Sequence, residues 1–596
     1  MSFFSELRRR NVIRVAVAYS VVAWLVAQVA EMAFESFGTP DWAMKTLLFV
    51  LLMGLPLALI FAWAFEMTPD GIKLEKDVDR SESITDTTGR KLNYTIIGVL
   101  AIALILSLVS RDWSQAPADV VIEDSETASE QSIAVLPFVN MSDDRENEFF
   151  SDGISEELLN VLVKVEGLRV ASRTSSFSFK GKDTPIPEIA KALKVEHVLE
   201  GSVRKAGDTI RITAQLIDVK TDSHLWSETY DRKYEDIFEI QDEISAHIVD
   251  ALKVALGSGE VVRTTTHPTQ DLEAYEDYLH GRHLWQQRGG DNIRKAIELF
   301  EDATSADPQF ARAWSSLASA HLTMPTYSQD RRETHYPLAL QYAEKALELD
   351  PSLAEPHAVI AELLRDNRKL IEAESHYRKA IELEPKNATG YLWYSEHLLA
   401  VGKSRDGLNN VLIALDLDPY NPGVHSVVAA AYLNLNDLEM SRRFTRSSMD
   451  LGHPAGRFLL IWLEIYDEDY EVARDLIRQD ERMGDPDHPL RLVIAAREDA
   501  SQIDTLLARA RQPDTPLFGK ITVLTWFGRP AEAIDLLRNS EMAGNTWLTL
   551  WDLGMAPLRA QPGFVDLLIE SGTVDYWDAT GWPERCSRDG NSINCT

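Results

Sequence analysis

Cysteine is nearly absent: the 596 residues hold two, Cys586 and Cys595, both near the carboxyl end. Two thiols with no neighbouring histidine supply half of a tetrahedral zinc set, so neither a zinc-knit domain nor a disulfide-dense fold is expected. The signatures of common chemistry are also missing. There is no phosphate-cradling glycine loop with its lysine, no Gly-x-Ser-x-Gly elbow, no His-Glu-x-x-His helix and no dinucleotide-binding glycine fingerprint. His280 and His283 lie three apart on a helical stretch, but no cysteine or clear carboxylate partner accompanies them. No catalytic residue, metal or cofactor is expected, and the chain reads as a non-enzyme. Positive charge is scarce too. Lys and Arg number 60 against 93 Asp and Glu, a net charge of −33 carried almost wholly after Trp113. Such a body repels a phosphate backbone, which argues against nucleic acid as a partner, and the basic, aromatic stretch 173–182 is too short and isolated to reverse this.

What is present begins with apolar runs. Residues 12–30 and 46–65 are each long enough to cross about 30 Å of hydrocarbon as helix, and 94–109 is shorter, flanked by Lys91 and Arg111 that can reach outward. A cleaved signal peptide competes for the first run, but no small-residue cleavage site follows it. The arginines at 8, 9, 10 and 14 and the basic residues at 73, 76, 80, 90 and 91 put the amino end and the second loop on the cytoplasmic side. With three spans, everything after Arg111 is then outside the cytoplasm. Residues 1–113 are thus expected to be a membrane region, and 114–131, acidic and without apolar period, an extended tether.

Residues 132–255 alternate strand and helix signals. Ser132–Phe138 is a buried-strand pattern, 146–164 carries apolar residues at helical spacing, 168–171 is a short strand and 186–193 a short helix. Strands over 195–203 and 209–219 flank Lys205-Ala-Gly-Asp208, a hairpin signal, and a strand near 225–230 precedes an amphipathic helix through Ile237, Ile240, Ile244, Ile248 and Leu252. Ser151, Asp152 and Gly153 are read as the start of a helix, as a cap rather than an anion site. The stretches Ile133-Ala-Val-Leu-Pro-Phe138, Phe150-Ser-Asp-Gly-Ile-Ser-Glu156, Val198-Leu-Glu-Gly-Ser-Val203 and Leu225-Trp-Ser-Glu228 resemble the TolB amino-terminal-domain-like family, related to FlgO-type domains of bacterial envelopes. That resemblance implies a small α+β domain in a bacterial envelope. Phe4-x-Glu6-x-x-Arg9-Arg-Asn-Val12 and Phe65-Glu-x-Thr68-Pro-x-Gly71 are similar to the membrane region of proteobacterial chains with this order of domains. Some of those carry a cyclase or winged-helix domain that is not found here.

From residue 271 onward the pattern is helical and repeated. Prolines at 308, 351, 385, 419 and 454 recur at intervals of 43, 34, 34 and 35 residues, the period of tetratricopeptide (TPR) repeats. Ala296, Phe300 and Ala303, then Ala339, Ala343 and Ala346, then Ala373, Tyr377 and Ala380 precede successive prolines. Small residues let antiparallel helices approach, an aromatic fills the gap and proline ends the second helix. The nine extra residues of the first interval are assigned to 323–337, where the helical period lapses. Repeats are expected over 271–454, degenerate helical pairs and a cap over 455–585, and a tail over 586–596. The fold class is accordingly multidomain: amino-terminal transmembrane helices, a small α+β domain, then an α–α solenoid.

Two functional classes follow. The first is a membrane-anchored scaffold in the periplasm of a bacterial inner membrane, gripping a protein or peptide through Glu355, Glu362, Arg365 and Glu396 on the first helices of the repeats. The second is an envelope sensor or regulatory membrane protein; the short second loop, residues 67–92, leaves little room for a cytoplasmic output and favours the scaffold. In an oxidising compartment Cys586 and Cys595, with the turn formers Asp589, Gly590 and Asn591 between them, are expected to form an intramolecular disulfide.

Overall fold

The computed structural model describes residues 131–596 apart from 143, 145–146, 166, 257–266, 329, 481–482, 484, 486, 514, 540–546 and 591, together with a hairpin and scattered positions before residue 75. The chain divides into two compact units, residues 1–127 and 128–596. In the first, β1 (Phe65–Thr68) pairs antiparallel with β2 (Gly71–Leu74). The expected spans 12–30, 46–65 and 94–109 and the tether fall mostly outside the described residues, among which no helix is long and apolar enough to cross a membrane.

The second unit opens with a mixed sheet. β3 (Gln131–Val135), β4 (Val139–Asn140), β5 (Leu168–Val170), β6 (His197–Ala206), β7 (Thr209–Asp218) and β8 (Ser223–Lys233) form it, in the order β5-β3-β6-β7-β8, with β4 also on β6. β3 runs parallel to β5 and β6, while β6, β7 and β8 form an antiparallel meander. The β6–β7 turn is where Lys205–Asp208 places it, with Gly207 at φ 58°. β8 is longer than its pattern suggests, because only Tyr230 of its eleven residues is fully buried. Gln131, assigned to the tether, is the first residue of β3.

Helices cover the sheet: α1 (Glu148–Val163), α2 (Arg173–Phe177), α3 (Ile186–Leu193) and α4 (Ile237–Leu256). Ser151, Asp152 and Gly153 are not the start of α1 but lie a turn inside it, fully packed. The glycine is required there, since a Cβ on Gly153 would lie 2.9 Å from the Leu279 side chain of the first repeat.

Antiparallel helix pairs follow: α5 (Leu272–Gln287) with α6 (Gly290–Ala306), α7 (Ala311–Tyr327) with α8 (Arg332–Leu349), α9 (Ala354–Asp366) with α10 (Leu370–Leu383), α11 (Ala388–Ala400) with α12 (Ser404–Leu417), and α13 (Pro422–Asn434) with α14 (Leu438–Asp450). The alanines and aromatics of the repeat pattern are buried between these helices, Ala296, Phe300, Ala303, Ala373 and Tyr377 completely. The turns are built as the sequence dictates. Asp271, Asn387, Asn421 and Asp437 cap following helices through their side chains, and the prolines sit just past the ends of second helices. One expectation is corrected. The nine extra residues form no irregular insertion: they lengthen α7 and α8, which carry Pro325 and Pro337 inside them.

Shorter pairs continue the stack: α15 (Gly456–Tyr466) with α16 (Tyr470–Arg478), α17 (Pro489–Glu498) with α18 (Ile503–Ala510), and α19 (Leu517–Trp526) with α20 (Pro530–Asn539). The chain then turns back through α21 (Ala556–Arg559), α22 (Pro562–Glu570) and α23 (Thr573–Thr580) to a terminal hairpin of β9 (Cys586–Asp589) and β10 (Ser592–Cys595).

Candidate partner-binding surface

The first helices of the repeats, α5, α7, α9, α11 and α13, lie side by side and form the face on which a partner was expected. The structure places all four predicted residues there but gives each an internal partner. Glu355, at the start of α9, accepts from Ser315 and Ser319 Oγ at 2.8 Å each and from Arg282 Nη1 at 3.3 Å. Small serines on α7 are what allow Arg282 to reach across it. Glu362 accepts from Tyr377 Oη at 2.5 Å and pairs with Arg365 at 2.6 Å, and Arg365 meets Glu396 at 3.6 Å. The Arg365 side chain is 6% exposed. Burial pushes the carboxyls of Glu362 and Glu396 up, opposed by the Arg365 guanidinium between them. These residues join repeat to repeat as much as they face outward.

Beside them is a cluster that the sequence reading missed. Glu156 projects from α1 of the sheet domain, is almost wholly buried, and accepts from Arg282 Nη2 at 2.9 Å, Arg173 Nε at 2.8 Å and Gln286 Nε2 at 3.0 and 3.1 Å. Burial alone would raise this carboxyl; Arg282 and Arg173 outweigh it and hold it at about 2. The next residue, Glu157, meets Arg312 at 2.9 Å. Further along the stack the turns between repeats hold the sheet domain. Ser172 and Ser175 donate to Asp418 at 2.5 and 2.7 Å, Lys386 donates to the Leu168 carbonyl at 2.7 Å, and Phe179 packs edge-on against Tyr420. No local pattern flags these contacts, because each joins residues far apart in the chain.

The opposite edge, at the turns inside each pair, is held by the returning carboxyl-terminal segment. Trp551 and Trp577 donate their indole N–H groups to the carbonyls of Ala400 and Val401 at 3.1 and 2.8 Å, and Arg585 donates to that of Asn434 at 2.8 Å. These are the orphan carbonyls that every helix end exposes. Arg368 reaches Ser571 and Thr573, and Lys403 reaches Thr580. In the terminal hairpin Cys586 and Cys595 face each other and are joined by a disulfide.

A cleft of about 910 Å³ opens where α1 meets α5, lined by Asp144, Asn147, Glu148, Phe149, Tyr234, Leu272, Glu273, Glu276, Asp277, His280, His283 and Leu284. Burial and the carboxylates around it, Asp302 foremost, lift the Asp277 carboxyl to about 6. His280 and His283 part company here: the first stacks on Phe149 at 4.4 Å and the second meets Asp152 at 3.1 Å. Among the described residues no three ligand-type side chains converge on a metal position.

Residues 129–247 match the second domain of HilA/YgeH-like transcriptional regulators, and residues 354–387 match a tetratricopeptide repeat. The latter spans α9 and α10, and the stack is a TPR solenoid. The chain is 40% identical over 271 residues to a Rhizobium meliloti (strain 1021) protein named "Putative adenylate cyclase 3", covering 44% of this chain and 46% of that one. It is 25% identical over 171 residues to the mitochondrial import receptor subunit TOM70 of Homo sapiens, covering 28% of this chain and 26% of the receptor. It therefore spans less than half the length of the curated relatives it matches. A thermophilic TPR protein of Thermus thermophilus, of solved structure, is similar at 18% identity over 34% of this chain and 98% of its own, with a TM-score of 0.27.

Proposed function

We propose that the chain is a non-enzymatic scaffold that holds a protein or peptide partner on its TPR solenoid. The observation that carries this is the stack of helix pairs over residues 272–450, one of which matches the repeat model. A solenoid of such pairs presents a long continuous surface suited to another chain. TOM70, an import receptor subunit, supports a protein-binding use of the repeats. We further read the sheet domain as TolB-amino-terminal-like and the amino-terminal region as a membrane anchor that puts the soluble unit in the periplasm. The apolar runs and the distribution of Lys and Arg support that reading. Photo-crosslinking in intact cells from residues on the repeat face, followed by mass spectrometry, tests the scaffold: partners that recur from several positions support it, and crosslinks confined to the chain itself refute it.

A second reading has two observations in its favour, the regulator-domain match over 129–247 and the cyclase-named relative. Here the chain is a sensor or regulatory membrane protein related to those chains. The readings diverge under mutation. A sensor with its α1–α5 contacts broken alters a downstream response while its partners stay bound, whereas a scaffold loses the partners themselves.

A further inference from the structure

The cleft where α1 meets α5 is unevenly charged. Carboxylates of Asp144, Glu148, Glu273, Glu276 and Asp277 line it, and no lysine or arginine does. Two lysines reach that set from outside the lining: Lys180 Nζ bridges Glu148 at 2.6 Å and Asp152 at 2.5 Å, and Lys205 Nζ meets Glu276 at 2.7 Å. Glu273 and Asp277, one turn apart on α5, have no cation within ion-pair distance among the described residues. The charges that act on the half-buried Asp277 are all negative: Asp302 on α6, Glu273 and Glu276 on α5, and Asp271 at its cap. Glu148 and Asp144 face it from across the cleft, and His280 and His283 share its wall.

One corner of the cleft already shows how such a wall holds an alkylammonium. Lys205 Nζ lies 4.2 Å from the ring centroid of Tyr234 and 5.4 Å from that of Phe150 while it donates to Glu276, so a carboxylate and an aromatic face act on it together. The rest of the cleft has the same ingredients. Phe149 and His280 stack at 4.4 Å, Leu272 and Leu284 complete an apolar wall, and the carboxylates of Glu273 and Asp277 stand beside them without an ammonium.

We propose that this cleft binds an aliphatic diamine, an alkyl chain carrying two ammonium groups. Glu273 and Asp277 supply the two uncompensated charges, and charge-assisted bonds to ammonium N–H groups satisfy both. Leu272, Leu284 and Phe149 cover the methylenes, and a cavity of about 910 Å³ holds such a chain with room for water. A divalent metal ion is the competing cation. It requires several converging oxygen ligands, and no such group is found among the described residues. The proposal is independent of both functional readings, because the ligand is a small molecule and its binding is measured without a partner.

The test is calorimetric titration of 1,4-diaminobutane, 1-aminobutane and calcium chloride, at constant ionic strength, into the full chain in detergent. Saturable diamine binding is expected, weakened by about tenfold or more in Asp277→Asn and in Glu273→Gln. Glu348→Gln, which alters a surface carboxylate paired with Lys345, should leave it unchanged. The monoamine should bind about tenfold more weakly. A bound ammonium favours the ionised Asp277 carboxyl, so binding near pH 6 releases protons and affinity falls about tenfold from pH 7.5 to 5. Asp277→Asn removes that part of the pH dependence, which a merely structural carboxylate would not supply. Each substitution takes one charge from a crowded cluster, so both variants should melt at or above the wild-type temperature. Absence of saturable diamine binding, equal binding by wild type and both variants, equal affinity for the monoamine, or tighter binding of calcium overturns the proposal. Failure of the crosslinking experiment would overturn the scaffold and leave the diamine result standing.

Discussion

A carboxylate buried as fully as that of Glu156 keeps its charge only because Arg282 and Arg173 lie against it. Its folded pKa, about 2, is below the ordinary 4.5. The ionised form is thus favoured by folding, and this stability is present above pH 4.5 and lost as pH falls toward 2. Glu156→Gln should lower stability by about 3 kcal/mol near neutrality, measured by denaturant unfolding, and flatten the acid limb of the stability curve. His397 acts in the same direction over an earlier window. Burial first, then Arg365, takes its pKa from 6.5 to about 3, so the fold holds it neutral and stability falls as pH drops through 6.5 toward 3. His397→Phe should therefore reduce the loss between pH 6.5 and 4, read from melting temperatures at each pH. Packing is as exacting as charge at Ala380, enclosed with Ala354 and Ala358 where α9 and α10, the two helices of one repeat, meet. Ala380→Trp should lower stability by about 1 to 3 kcal/mol, and an unchanged unfolding transition would remove the assigned contact.

Among elements, the terminal hairpin shows how much a short piece depends on its ends. β9 and β10 pair over four residues each, too few to persist alone in water. The Cys586–Cys595 bond closes this loop and Arg559 Nε donates to the carbonyl of Thr596 at 3.0 Å, so the hairpin is tied at both places. Replacing both cysteines by serine should cost roughly 2 kcal/mol and speed hydrogen exchange over 584–596, with little effect on the repeats. Alkylation of protein taken directly from cells gives an independent reading: two freely modified thiols would argue against the bond in that compartment. The pair α7/α8 illustrates a different balance. Prolines and a lapsed period point to irregular chain between them, yet both helices run on, because Leu322, Met324 and Ala339 are buried in the core on either side of the join. Tertiary packing overrides a local breaker when the affected turn is already anchored.

At the scale of the molecule, the sheet domain and the first repeats share one continuous core, running from Ile133 in β3 through Leu158 and Tyr275 to Met324 in α7. They should melt as one cooperative unit; separate transitions for residues 131–256 and 267–328, followed by hydrogen exchange, would refute this. The proposed topology has its own test, a phosphatase fused after Trp113, which should be active if the soluble unit lies outside the cytoplasm and inactive if it does not. Much of this architecture is legible in the chain itself. Helix pairs, their 34-residue period, the Asp-Pro and Glu-Pro stops and the β6–β7 turn are local, since they depend on side-chain period, capping and backbone preference within a few residues. The position of Glu355, Glu362, Arg365 and Glu396 on first helices follows from the same period. Their engagement with one another does not, nor does the burial of Glu156 against Arg282, 126 positions away, nor the reach of Trp577 to the carbonyl of Val401. Periodicity states which face of a helix is turned inward. Only the closing of sheet domain and carboxyl-terminal segment onto the two edges of the stack decides what that face meets, because a desolvated charge or an orphan carbonyl takes whichever partner the packed chain brings within 3 Å or so.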